Sequence, residues 1–96
     1  GVKHVKDNLL PISKVFGAIQ DASGTSDEEM HRVYNMGHRL EAYCEPAATE
    51  DLISIAKNFG IDAQVVGRTE PTEFSNGENH LLIQRGDLTL SYDSHA

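Results

Sequence analysis

Glycine and proline cut this chain into short pieces, and no other feature limits its fold as strongly. Pro11, Ser23-Gly24, Asn35-Met36-Gly37, Pro46, Gly60, Pro71, Asn76-Gly77 and Arg85-Gly86-Asp87 stand at intervals of about five to fifteen residues. No long helix, coiled coil or membrane span fits between them. What fits is a series of short helices and strands, and the hydrophobic period within each piece says which. With 96 residues, the chain is one domain or part of one. At that size it buries about 60–65% of the surface that its unfolded form exposes, enough for a thin core.

Residues 2–9 read as an extended lead-in. Pro11 is placed to open a helix, and Ile12, Val15, Phe16 and Ile19 recur at the spacing of one helical face. Ser26 with Glu29 three residues on forms a capping box, and Asp27 and Glu28 suit the positive end of the helix dipole. Met30, Val33 and Tyr34 form the stripe expected to be buried. Leu40, Ala42 and Cys44 then alternate with Arg39, Glu41 and Tyr43, which predicts a strand. Thr49 is expected to cap a third helix, whose apolar face is Leu52, Ile55, Ala56 and Phe59 and whose stop is Gly60. Residues 62–68 predict a further strand, and 69–80 a polar loop. Leu81 to Gln84 and Leu88 to Tyr92 predict a hairpin around Arg85-Gly86-Asp87.

The predicted fold is therefore an α/β or α+β sandwich: a mixed sheet of about four strands with helices mainly on one face. The strand–helix–strand run through residues 40–68 predicts a right-handed crossover, and the hairpin extends the sheet antiparallel.

The formal net charge is -7, with eight basic residues scattered along the chain. Nucleic acid and anionic membranes are recognised through clustered Lys and Arg, so neither is an expected partner. A single cysteine, Cys44, excludes an internal disulfide and fits a reducing, cytoplasmic setting. The opening residues Gly1 to Lys6 carry no apolar run, so no signal peptide is expected there. Gly1 in place of Met reads as a scar of tag removal or a cut within a longer chain.

Few residue groups suggest chemistry. His31 and His38 lie near Glu41, but no two histidines share helical metal-ligand spacing, and surface histidines are the simpler reading. Cys44 shares its predicted strand face with Leu40 and Ala42 and reads as a buried, inert thiol. Arg85-Gly86-Asp87 reads as hairpin-turn chemistry, not as an adhesion signal. No glycine-rich phosphate loop is present. The segment Asn35-Met36-Gly37-His38-Arg39 stands out. Gly37 permits positive φ or close backbone approach, Asn35 donates and accepts, and Arg39 can grip a phosphate with two parallel bonds. The plainer alternative is that Asn35 to Gly37 merely ends a helix.

One family shares this pattern. Ser26-Asp27-Glu28-Glu29-Met30 through Tyr34-Asn35-Met36-Gly37 resembles the stretch of aminoimidazole ribonucleotide synthetases (phosphoribosylformylglycinamidine cyclo-ligases) in which a Glu-Glu-Met helix runs into Phe-Asn-Met-Gly. Upstream, Pro11 to Gln20 resembles that family's Pro-Pro-Ile-Phe helix ending in Gln. Downstream, Phe59 to Gly67 resembles its Gly-x-x-Ala-x-x-Ile-Gly strand. The likeness covers about residues 8–70.

The resemblance implies that residues 1–96 are part of the C-terminal α/β domain of such an enzyme. It implies a parent that closes formylglycinamidine ribonucleotide to aminoimidazole ribonucleotide in purine synthesis. There ATP, with magnesium, phosphorylates the formyl oxygen and an amidine nitrogen then attacks. Most of the ATP site would lie on an N-terminal domain outside this chain, so neither ATP nor magnesium is expected to bind here and no residue is assigned as catalytic. Asn35, Met36 and Gly37 would line the cleft between the domains, with Arg39 a phosphate contact. Homodimerisation or other self-association is expected, because part of a domain leaves a sheet edge or helix face uncovered.

The sequence departs from the family where His38-Arg39-Leu40 follows Asn-Met-Gly in place of x-Gly-Met, and where Arg68-Thr69 follows Gly67. These changes imply a divergent branch. A non-catalytic binding or assembly module is the alternative reading, and another ATP-using member of the same superfamily is a third.

Overall fold

The computed structural model describes residues 2–71 and 79–93. The turn read at Asn76-Gly77, and His95, lie outside the described residues. In chain order the elements are β1 (Val2–Lys6), α1 (Lys14–Ser23), α2 (Asp27–Val33), a 3-10 turn (Pro46–Ala48), α3 (Thr49–Asn58), β2 (Gly67–Pro71), β3 (His80–Arg85) and β4 (Leu88–Asp93). They form two compact units, one of Gly1–Leu9 with Val65–Ala96 and the other of Leu10–Gln64.

The first unit is the sheet. Its four strands run in the order β2-β1-β3-β4. β1 is antiparallel to β2 and parallel to β3, and β3 is antiparallel to β4. A mixed sheet of four strands is as expected, although two of its members are not the ones read from the sequence. The hairpin is as expected too. Its two-residue turn begins with Gly86 at φ 54°, the positive φ that tight hairpin turns require.

The register places Leu81 and Ile83 opposite Tyr92 and Leu90 on one face. Ile83 and Leu90 are buried there, and Val5 of β1 is the third buried apolar residue of the sheet. Alternation of apolar and polar positions along β4, with Leu88, Leu90 and Tyr92 turned inward, is what period-2 patterning demands.

The lead-in at residues 2–9 turns out to hold a central strand. β1 has partners on both sides, and Asn8 prolongs its pairing beyond the strand end. The Asn8 backbone N–H donates to Val66 O at 3.0 Å, and its Nδ2 donates to Val65 O at 2.7 Å. Gly67 makes the β1–β2 approach possible. A Cβ there would run into Val5 O and lie 2.9 Å from Lys6 Cα.

The expected strand at residues 62–68 is displaced: pairing begins only at Gly67 and runs to Pro71, into the segment read as loop. Arg68 extends from β2 between two carboxylates, Asp7 at 3.0 Å and Glu70 at 3.2 Å. The hydrogen bond it donates to Asp7, then the one it donates to Glu70, raises its pKa above the ordinary arginine value.

The second unit carries the helices. α1 begins at Lys14, three residues later than Pro11 suggested, with Ser13 as its N-cap. Gly24 ends it at φ 68° and donates its N–H to Gln20 O at 2.8 Å. Gln20 also joins the two helices, because its Nε2 donates to Thr25 O and to Asp27 Oδ1 at 2.7 Å. α2 starts as read, with Ser26 Oγ accepting from the Glu29 N–H at 3.3 Å. Phe16 and Tyr34 stack in a tilted pair with ring centres 5.7 Å apart. Of the predicted stripe only Met30 is buried, at 0% exposure, while Val33 and Tyr34 are exposed.

Two expectations fail in this unit. No strand forms over residues 39–45, and Leu40 is 87% exposed. Alternating residues become a strand only when a neighbouring strand takes their backbone bonds, and among the described residues no strand pairs with them. The crossover predicted through residues 40–68 is therefore absent. Cys44, expected to be buried on that strand, is exposed. Thr49, in turn, is not a cap but the first residue of α3. Pro46 opens a 3-10 turn earlier, and the helix follows directly with Ala48 before it. α3 has no buried residue. Gly60 stops it at φ 70°, as read, donating to Lys57 O.

Candidate functional site

The segment after α2 is built by its own sequence. Tyr34 leaves the helix in an extended conformation, its N–H still donating to Met30 O. Asn35 then turns the chain twice. Its side-chain Oδ1 accepts from the Gly37 N–H at 2.8 Å, and its carbonyl accepts from the His38 N–H at 3.1 Å. Between them Met36 lies at φ 57°, the one non-glycine residue with positive φ among those described, and Gly37 at φ 106°. The left-handed backbone costs a methionine about 1–2 kcal/mol. Burial offsets that cost, since the Met36 side chain is only 2% exposed. Both methionines of the chain, Met30 and Met36, are thus buried within this unit.

The turn is held against the residues preceding α1. Met36 O accepts from the Ser13 N–H at 3.4 Å, and His38 Nε2 accepts from the Leu10 N–H at 3.1 Å. A Cβ on Gly37 would run into Ser13 Oγ and lie 3.3 Å from Ser13 Cβ. Glycine at 37 is therefore required twice, by φ and by Ser13. The close approach that its sequence position suggested is an approach to this chain's own serine.

The four residues singled out by sequence fall into two kinds. Met36 and Gly37 shape the turn. Asn35 and Arg39 are exposed at its surface. With Asn35 occupying the amides of Gly37 and His38, the turn presents no open row of backbone donors. The cation that can meet a phosphate is Arg39, with which no carboxylate pairs among the described residues. Sequence reasoning missed Ser13, Leu10 and the inward role of His38. Isolated Gly37 was the sole local signal that something packs there. His38 is not a surface histidine as read, since its side chain is 6% exposed.

Other groups do less. Arg32 pairs with Glu28 at 3.3 Å and Glu29 at 3.8 Å on the open face of α2, an exposed network worth little. His31 bonds its own helix through Asp27 O. On the sheet, His4, His80, Tyr92 and Asp93 border a shallow depression of about 220 Å³, where His80 Nε2 lies 2.7 Å from Ser91 Oγ. Partial burial lowers the Arg85 pKa. Among the described residues no three His, Cys, Asp or Glu side chains are grouped to hold a metal ion. No helix among the described residues is long and apolar enough to cross a membrane.

No protein-family model matches the chain. Curated proteins do. The phosphoribosylformylglycinamidine cyclo-ligase of Methanococcus maripaludis is 33% identical over 72 residues, which are 75% of this chain and 21% of that protein. The enzyme of the same name from Methanocaldococcus jannaschii is 34% identical over 76 residues, 79% of this chain and 22% of its own length. That of Shouchella clausii is 27% identical over 70 residues, 73% of this chain and 20% of its own. The chain spans about a fifth of the length of the curated relatives it matches. It is a relative of the phosphoribosylformylglycinamidine cyclo-ligases, corresponding to one segment of those longer proteins.

Proposed function

We propose that this chain is part of the C-terminal domain of an ATP-dependent ligase. The reaction is closure of formylglycinamidine ribonucleotide to aminoimidazole ribonucleotide, in cytoplasmic purine synthesis. The observation that carries the reading is the match over 75% of the chain to proteins named for that ring closure. Nucleotide and magnesium belong, in this reading, to an N-terminal domain outside the chain. The strained and internally braced turn at Asn35 to Gly37 supports its assignment to a binding cleft, because strain of this kind collects at functional sites. Asn35 and Arg39 are the side chains it offers there, Arg39 to the ribonucleotide phosphate. In this reading no residue of the chain is assigned as nucleophile or general base.

The test is turnover by the longer parent chain with formylglycinamidine ribonucleotide, ATP and magnesium. ADP and aminoimidazole ribonucleotide are expected in equal amounts. ATP consumption without the imidazole would move the parent to another substrate of the same superfamily. Absence of both products would leave a non-catalytic assembly module.

We also propose self-association of the isolated chain. Leu52, Ile55 and Phe59 stand exposed along α3, and apolar faces of this kind favour association. Sedimentation at rising concentration checks this, and a monomer throughout would refute it.

A further inference from the structure

The side chain of His38 lies almost wholly out of water, yet it is bonded to backbone. Its Nε2 accepts the Leu10 N–H at 3.1 Å, across 28 residues of sequence. An amide N–H can donate only to a ring nitrogen that carries no proton. The hydrogen bond therefore selects one form of the ring, neutral and protonated on Nδ1. That Nδ1 faces Glu41, whose Oε1 lies 4.0 Å away. The carboxylate favours a proton on the nitrogen nearest to it, so both neighbours select the same tautomer.

Three interlocks then join the residues before α1 to the Asn35–Gly37 turn. These are the Leu10–His38 bond, the Ser13–Met36 bond, and the seat of Gly37 against Ser13. Only the first is a hydrogen bond accepted by a side chain, and exchanging that side chain tests it directly. A turn carrying Met36 in a left-handed conformation needs such external bracing to persist.

We propose that His38, as its Nδ1-protonated neutral tautomer, is a positioning residue that clasps Leu10 to the Asn35–Gly37 turn and so sets where Asn35 and Arg39 stand. The inference goes beyond the proposed reaction and rests on geometry within this chain, so it holds whatever substrate the parent takes.

The experiment is NMR on the 96-residue chain, with ¹⁵N shifts of the His38 ring and exchange of the Leu10 amide. The wild type is expected to show a protonated Nδ1, a bare Nε2 and a slowed Leu10 amide. In His38→Phe the Leu10 amide is expected to exchange about fivefold faster. In His38→Gln it is expected to be slowed again, because the Gln Oε1 reaches the place of Nε2 as an acceptor. The Ile83 and Leu90 amides of the hairpin report whether each variant still folds. A ring protonated on Nε2 in the wild type would overturn the proposal, and that reading needs no variant at all. Equal Leu10 exchange in the Phe and Gln variants, with the hairpin intact, would overturn it too.

Discussion

Single residues decide the shape of the candidate site. Gly37 was visible in the sequence as an isolated glycine, but Ser13, the reason no side chain fits there, lies 24 residues upstream and gives no local sign. Gly37→Ala is expected to lower stability by about 1–3 kcal/mol, from strain at positive φ together with the clash. Adding Ser13→Gly should relieve the clash and leave the strain, so denaturant unfolding of the single and double variants separates the two. If the double variant is no more stable than Gly37→Ala alone, Ser13 does not press on residue 37. Ser26 was legible for the opposite reason, since a cap and its partner amide are three residues apart. Ser26→Ala is expected to cost about 1 kcal/mol, read as a shift in the midpoint of the same unfolding curve. Cys44 was misread because its burial was inferred from a strand that does not form.

Elements were legible where their bonds are local and obscure where they are not. The hairpin closes over two residues and α2 starts with its own cap, and both stand where the sequence places them. β1 could not be found this way. Its partners are β2 and β3, more than sixty residues further on, and nothing in Val2 to Lys6 announces either. Residues 40–44 present the reverse case, a strand pattern with no partner strand among the described residues. Amide exchange should reflect this difference directly. Ile83 and Leu90 are expected to exchange slowest, and residues 40–44 within about a factor of ten of an unfolded peptide. Protection at 40–44 matching that of the hairpin would mean that a partner strand exists. Gly67→Val should break the β1–β2 pairing, because the Cβ would enter the backbone of Val5. Loss of protection at Val5 without loss at Leu90 is the expected sign.

At the scale of the molecule, apolar surface left open is the dominant feature. Phe59 is 77% exposed at the end of α3, and Ile55 and Leu52 continue its line. Their helical spacing was read correctly from sequence; their exposure was not, because periodicity shows which face is apolar and not whether anything covers it. Phe59→Glu is therefore expected to change unfolding stability by less than about 0.5 kcal/mol. The same substitution should shift the sedimentation of concentrated chain toward monomer. A large loss of stability would mean that Phe59 is already packed.

The relation to the cyclo-ligases rests on a segment, and the activity proposed is that of a longer parent chain. The most direct measurement is turnover by the parent chain and its Arg39→Ala variant side by side, following ADP and aminoimidazole ribonucleotide together. Equal formation of both products is expected, with the variant's KM for the ribonucleotide raised about tenfold and its kcat little changed. A parent that forms neither product from this substrate would contradict the central claim, and a variant with unchanged kinetics would remove Arg39 from the site.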